Sequence, residues 1–334
     1  MNWNKGFTAS FYAYLIDPTT WRETSRLQIT GGTINRSDGG LRQSADIDCV
    51  RYNGGEQWIR VYMDTEQNGA SAHVPLFTGL ATSPAQVWDG YYETESLECY
   101  SVLKPADDVL LDRGYYVPSN IGADLILRSL LSVCPAPIIV TGIAPRLQTA
   151  IIAENGETRL TMTEKVLASI NWRLRIHGDG TIEIASKATE EVSSFDPNSN
   201  DVIEPSIKVD RDWYSCPNVV RAVSGDITAI AKDDSEGLLS IKGRGREIWH
   251  EDSSVTLNSG ESIAQYARRR LKELQSVSQT ASYTRRFDPV VNVGDIIRLN
   301  YPKQRLSGLY EVTEQKIQIA YGASTEEGVK TYER

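Results

Sequence analysis

Strict alternation of apolar and polar residues marks the first third of the chain as β structure. In residues 45–52, Ala45, Ile47 and Cys49 fall on one face, with Asp46, Asp48 and Val50 on the other. Residues 57–63 place Ile59, Val61 and Met63 opposite Trp58, Arg60 and Tyr62. The Asn53-Gly54-Gly55 turn between these runs predicts a hairpin or a longer-loop relative of one. A second turn signal spans 66–70, with a strand expected over 74–79 ending in a turn at Gly79 and another over 95–103. No helical periodicity precedes residue 105.

The middle of the chain reads differently. Ser119 and Asn120 are placed to cap a helix over 121–131, with Asp124 in its first turn. Pro135 and Pro137 end it. Thr161 and Glu164 have the spacing of a capping box ahead of Val166, Leu167 and Ile170. An alternating run over 172–177, a Gly178-Asp179-Gly180 turn and a return over 181–185 predict a hairpin with Leu174, Ile176, Ile182 and Ile184 facing a core. The polar, proline-containing stretch 193–206 is the expected linker.

Strands return over 218–224 and 227–231, joined by Gly225-Asp226. A helix follows, with Asn258 and Glu261 at N-cap and N3. Ile263, Ala267, Leu271 and Leu274 form one apolar stripe. In the last strand region, 308–319, Tyr310 and Val312 share one parity while Ile317 and Ile319 share the other. That implies either a bulge or two separate strands.

Composition adds limits to this mostly β, α+β picture. The chain has 334 residues, which suggests about two domains at roughly 150 residues each. It is 40% hydrophobic and 24% charged with net charge -9, a globular composition and not that of a basic nucleic-acid binder. No apolar run approaches membrane-spanning length, and the N-terminus lacks a signal-peptide pattern. The four cysteines, Cys49, Cys99, Cys134 and Cys216, form no CxxC pair and read as small buried hydrophobes.

The charge is uneven. Residues 1–110 hold 8 basic and 14 acidic side chains, net -6. Positive charge in the last third gathers at Lys242, Arg244 and Arg246, at Arg268–Arg270 with Lys272, and at Arg285 with Arg286. These clusters are either solvated faces or an interface for an acidic partner.

Catalytic motifs are missing. There is no P-loop, GxSxG elbow or HExxH, and Gly243-Arg244-Gly245-Arg246 is an incomplete phosphate loop. His73, His177 and His250 lie in separate segments, His177 at a hairpin end and His250 in an expected loop beside Glu251 and Asp252. No carboxylate pair stands out for glycoside hydrolysis. Asn35 opens a lone glycosylation sequon. The seven tryptophans and sixteen tyrosines are scattered through strands and suit core or interface roles. No catalytic residue, cofactor site or metal site is expected.

Several segments, in order, resemble the tail and baseplate hub proteins of tailed bacteriophages and related contractile particles. They are Phe77-Thr78-Gly79-Leu80, the helix and hairpin over 163–184, Cys216-Pro217-Asn218-Val219-Val220-Arg221-Ala222, the helix over 257–271, Asp288-Pro289-Val290-Val291-Asn292-Val293-Gly294-Asp295, and Gly308-Leu309-Tyr310-Glu311-Val312. The resemblance spans roughly 75–320. It implies two tail-tube-like β domains, over 1–110 and 201–334, with an α/β region over 111–200 between them. It further implies a non-enzymatic homotrimer whose six tube-like domains match a sixfold tail tube on one side and a threefold spike or tail tip on the other. The implied partners are a second and third copy of the chain, the tail tube protein, the spike or tail-tip protein and other baseplate proteins. Phage DNA would only pass through the channel, nothing would insert in a membrane, and assembly would take place in the bacterial cytoplasm.

Two further readings differ from the hub. One is a receptor- or glycan-binding tail-tip module using surface aromatics. The other is a peptidoglycan hydrolase, for which a chain ending at Arg334 leaves no room for a fused domain. If the ring encloses DNA, the acidic first third should face the channel and the basic clusters should lie at interfaces, because cationic walls would grip phosphates.

Overall fold

The computed structural model describes the whole chain except residues 51, 53, 89–92, 200–201, 212, 215, 254, 256, 258–259, 277–278 and 333–334. The N-terminal third forms β1 (Thr8–Asp17), β2 (Arg22–Leu27), β3 (Ile29–Ser37), β4 (Gln43–Val50), β5 (Gln57–Gln67), β6 (Ala70–Trp88) and β7 (Glu93–Ser101). The middle contains α1 (Lys104–Asp108), β8 (Tyr116–Val117), α2 (Ala123–Leu130), β9 (Ile138–Thr141), β10 (Ile151–Ile152), α3 (Arg159–Ile170), β11 (Trp172–Ile176) and β12 (Ile182–Ser186). The remainder is β13 (Glu191–Phe195), β14 (Lys208–Arg211), β15 (Val219–Ser224), β16 (Ile227–Lys232), α4 (Ile241–Arg244), β17 (Trp249–Asp252), α5 (Ile263–Ser276), β18 (Gln279–Arg286), β19 (Ile296–Tyr301), β20 (Leu306–Gln318) and β21 (Ser324–Thr331). The fold is α+β and mostly β.

Strands from both ends of the chain join one sheet, ordered β14-β18-β21-β20-β3-β4-β7-β6-β5-β1-β2, with β19 also on β20 and β13 on β19. The joint is β20 against β3, where Ile317 pairs with Ile34. Alternation on β4 holds: Ala45, Ile47 and Cys49 are buried while Asp46 and Asp48 are exposed. The expected hairpin between β4 and β5 does not form. β4 pairs with β3 and β7, and β5 with β1 and β6. Asn53 of the expected turn lies outside the described residues. Both faces of β5 are covered, with Trp58, Arg60 and Tyr62 buried as well as Ile59, Val61 and Met63. Both hydrogen-bonding edges of β5 are taken by β1 and β6, which leaves none for β4.

The second turn signal is a two-residue hairpin. Asn68 and Gly69 have φ of 50° and 81°, the positive values that match the twist of flanking strands. Gly79, expected to turn the chain, lies instead within β6. A Cβ there would come within 2.2 Å of the Tyr100 carbonyl oxygen, so the glycine serves close strand approach.

β20 is a single strand with a bulge. Its register against β21 slips between Val312 and Glu314, leaving Thr313 extra. Tyr310 and Val312 therefore enter the C-terminal core with Leu299 and Val329, while Ile317 enters the N-terminal core with Ile34 and Ile47.

The central α/β region packs over β5 and β6, its core reaching Ile16, Trp58 and Leu80. The hairpin of β11 and β12 is formed, with Leu174, Ile176, Ile182 and Ile184 buried. Helix caps differ from expectation. α2 starts after Gly122 with no side-chain cap, and Asn120 adopts φ of 61° outside it. α3 is capped by Thr158, whose Oγ1 accepts the Thr161 amide, while Glu164 pairs with Arg42. The expected linker is structured. Residues 191–195 form β13 parallel to β19, and Phe195 and Ile203 are buried in the C-terminal core.

Residues 213–276 form an inserted module between β14 and β18, which pair with each other directly. Gly225-Asp226 turns β15 into β16 as expected. β16-β15-β17 make a small sheet, and α5 packs Ala267 and Leu271 onto Val220, Ala222 and Ala231. Asn258 lies outside the described residues. The capping box of α5 is Ser262 with Gln265: the Ser262 amide donates to Gln265 Oε1 at 2.8 Å, and the Gln265 amide to Ser262 Oγ at 3.3 Å.

Candidate functional site

The continuous sheet presents two contrasting faces where β21, β20, β3, β4 and β7 lie side by side. Residues directly opposite across a sheet share a face. Glu326 stands opposite Lys316, Lys316 opposite Asn35, Thr33 opposite Asp46, and Asp46 opposite Glu98. Glu314 and Asp48 lie two residues along on the same side. All five carboxylates are exposed, with Lys316 among them. Asp46 facing Glu98 is a like-charge pair that the fold itself gains nothing from.

The opposite face of the same strands carries a buried polar row. Tyr283 pairs with Glu327, Glu327 with Gln315, Gln315 with Arg36, and Arg36 with Gln43, across β18, β21, β20, β3 and β4. Each of these five is less than a tenth exposed. Glu327 accepts from Arg285 through both oxygens, at 2.9 and 2.8 Å, from Tyr283 at 2.6 Å and from Gln315 at 2.7 Å. Burial alone would raise the Glu327 carboxyl, but Arg285 and these donors hold it below its usual range. Arg285, expected on a solvated face or at an interface, is thus a core residue.

The row continues into a clamp that ties three parts of the chain. Arg36 donates to the Leu76 carbonyl at 2.6 Å and to Asn292 Oδ1 at 3.3 Å. From β11, Arg173 donates to the Gly294 carbonyl at 2.6 Å, and Arg175 pairs with Asp295. Asp295 is 3% exposed and also accepts the Asn292 amide at 3.0 Å. Gly294 has φ of +80°, and a Cβ there would stand 3.0 Å from Arg173 Nη1. The Val293-Gly294-Asp295 sequence is therefore the socket for two arginines of the middle region.

The other basic clusters are largely neutralised within the chain. In the module, Arg269 pairs with Glu261 and Glu273, and Arg270 with Asp252 and Glu273. Arg268 and Lys272 are exposed. Lys242 pairs with Glu236, and Arg244 donates to the Cys216 carbonyl at 3.0 Å. Gly245 is the left-handed cap of the short α4, so this segment is not a phosphate loop.

His250 lies in strand β17, not in a loop. Its Nε2 is 2.9 Å from Asp252, whose carboxyl burial would raise but His250, Arg270 and Tyr266 lower on balance. His177 directly follows β11 and contacts Glu183 at 3.0 Å. His73 stacks on Tyr62 with ring centres 4.4 Å apart, and Tyr12 lies 5.7 Å from Tyr62 and 6.2 Å from His73. All four cysteines are buried thiols. Among the described residues no three His, Cys, Asp or Glu side chains gather as a metal site, and no helix is long and apolar enough to cross a membrane. The buried row and the clamp were not foreseen. The regular Gly294-Asp295 turn before an alternating strand was the sole sequence signal for either.

No protein-family profile matches the chain. No curated protein sequence matches it either. Solved structures do. The 43 kDa tail protein of prophage MuSo2 from Shewanella oneidensis superposes with a TM-score of 0.69 at 14% identity, over 96% of this chain and 98% of that one. A tail protein from Neisseria meningitidis gives 0.69 at 15% identity, over 98% and 97%. A prophage tail protein from Listeria monocytogenes gives 0.59 at 12% identity, over 99% and 95%. At these identities the likeness is one of fold, and it runs the length of each chain: this protein has the fold of a phage tail protein.

Proposed function

We propose that this chain is a structural protein of a virion tail, a hub that closes as a homotrimeric, pseudo-sixfold ring. The observation that carries the reading is the full-length fold likeness to tail proteins. The sheet supports it from within. Strands within 1–110 and strands within 201–334 join in one sheet, with the helices and hairpin of the 111–200 region packed behind it, so one subunit can occupy two places in a ring. The tail tube protein would take one side of that ring, and the spike or tail-tip protein the other, among further baseplate proteins. The exposed carboxylate row of β21, β20, β4 and β7 would face the channel and repel passing DNA, which explains like charges set opposite one another at Asp46 and Glu98. The protein acts by assembly and not by catalysis, and it assembles in the bacterial cytoplasm.

Mass measurement and imaging of the purified chain test this. A threefold ring, alone or on a tube protein, is expected. A strictly monomeric particle that cannot join a tube protein would sink the reading. Trp88 and Tyr321, 69% and 86% exposed, favour a second reading, a glycan-binding tip module, because sugars stack on open aromatic faces. A glycan-array signal lost in Trp88→Ala would support it.

A further inference from the structure

Between α5 of the module and the body of the protein lies a cleft of about 830 Å³. Module residues Arg269, Arg270 and Lys272 line one wall, and the body residues Arg36, Arg173 and Arg175 line the other. Among the described residues, every ion pair of the module closes within the module, so nothing ionic bridges the cleft.

The acids that line the cleft are already engaged. Asp38 holds Arg42, Glu273 holds Arg269 and Arg270, and Glu311 holds Lys330. The body wall is different. Arg173 and Arg175 share the single carboxylate of Asp295. Arg36 is 8% exposed and donates only to the Asn292 amide oxygen and the Leu76 carbonyl. The Nε atoms of Arg36 and Arg175 are buried without a hydrogen-bond acceptor. Opposite them, Lys272 is exposed and makes no ion pair among the described residues. A guanidinium removed from water without a counter-charge is costly, and such sites are completed by an anion. Burial, then Arg175 and Arg285, push Arg36 down to about 10, the signature of a cation lacking a partner.

We propose that this cleft is an oxyanion-binding site, in which carboxylate or phosphate oxygens bridge Arg36 and Arg175 on the body to Lys272 on the module. Planar guanidinium groups suit both oxyanions through paired N–H···O bonds. Filling the site would also draw the module against the body, since like charges face each other across the cleft.

The test is calorimetric titration of the full chain at constant ionic strength, with pyrophosphate in one arm and a tetraglutamate peptide in the other. Saturable binding is expected in at least one arm. Lys272→Glu and Arg36→Gln should each weaken it about tenfold or more, the loss expected for one charged hydrogen bond. Arg221→Gln, whose side chain pairs with Glu251 on the module's sheet, should leave it unchanged. Lys272 is exposed, so its variant remains informative if Arg36→Gln fails to fold. Tighter binding of the peptide assigns the site to a carboxylate-bearing segment of an assembly partner, and tighter binding of pyrophosphate assigns it to a free phosphate compound. No saturation in either arm, or binding unchanged in Lys272→Glu, overturns the proposal. None of these outcomes depends on whether the chain forms a ring.

Discussion

The buried row across β18, β21, β20, β3 and β4 and the ion pairs of the inserted module use the same residue types under different solvation. Arg285 and Glu327 are at most 1% exposed, whereas Arg269, Arg270 and Glu273 are each about a third exposed. In the row, the donors meet buried acceptors, and water cannot substitute for them. In the module, water competes for every carboxylate. The first arrangement fixes which strands may lie together, because a wrong pairing strands a charge. The second adds little beyond what Ala267 and Leu271 already achieve by packing.

The sharpest way to break this contrast is Glu327→Gln. It leaves Arg285 charged and buried without a carboxylate and should cost about 3–5 kcal/mol. Denaturant unfolding of the sheet would show it, with amide exchange in α5 little changed. Equal loosening of both regions would mean they form one cooperative unit. Next is Leu271→Ala, which opens the module's core and should cost about 2–4 kcal/mol there. Exchange should accelerate in β15, β16 and α5 while β18, β20 and β21 keep their protection.

Acid should separate the two regions more gently. Glu327 and Asp252 both have lowered pKa values when folded. A carboxyl depressed by folding stabilises above its unfolded pKa, about 4, and that contribution fades as pH falls through the lower folded value. Unfolding of the sheet below about pH 4 should therefore be less pH-dependent in Glu327→Gln than in the natural chain. An unchanged slope would remove Glu327 from the acid response. Smallest of all is Arg270→Ala, whose partly exposed pairs should be worth about 0.2–1 kcal/mol. A double-mutant cycle with Glu273→Ala measures it, and a coupling above 2 kcal/mol would erase the distinction between the regions.

Legibility in the sequence followed the periodicity. Where one face is dry and the other wet, as on β4, β11, β12 and α5, alternation or a stripe identified the element and its inward residues. Turns carried by Asn68-Gly69 and Gly225-Asp226 were equally plain, since positive φ restricts which residues serve. Reading failed where partners are distant. The pairing of β5 with β1 joins strands with three others between them in the chain, which no local pattern contains. Gly79 reads as a turn because a glycine required by the Tyr100 carbonyl looks the same in one dimension. Glu327, Gln315 and Arg36 have inward parity but polar side chains, so the row they form reads as three interruptions. The clamp was half visible, as a Gly294-Asp295 turn whose arginine partners lie some 120 residues away.

Thr313, the extra residue in β20, gives that strand something like a reading frame. Up to Val312 the odd and even positions are spelled for the C-terminal core, and from Glu314 onward they are spelled for the N-terminal one. Deleting Thr313 would leave Tyr310 and Val312 in place while exchanging Ile317 with Lys316 and Gln318 as the residues facing inward. A one-residue deletion there is therefore a frameshift in three dimensions, and only a compensating insertion before Ile317 would restore the sense of the strand. Insertions at the Asn68-Gly69 hairpin tip carry no such penalty, because no strand crosses it from one core to another.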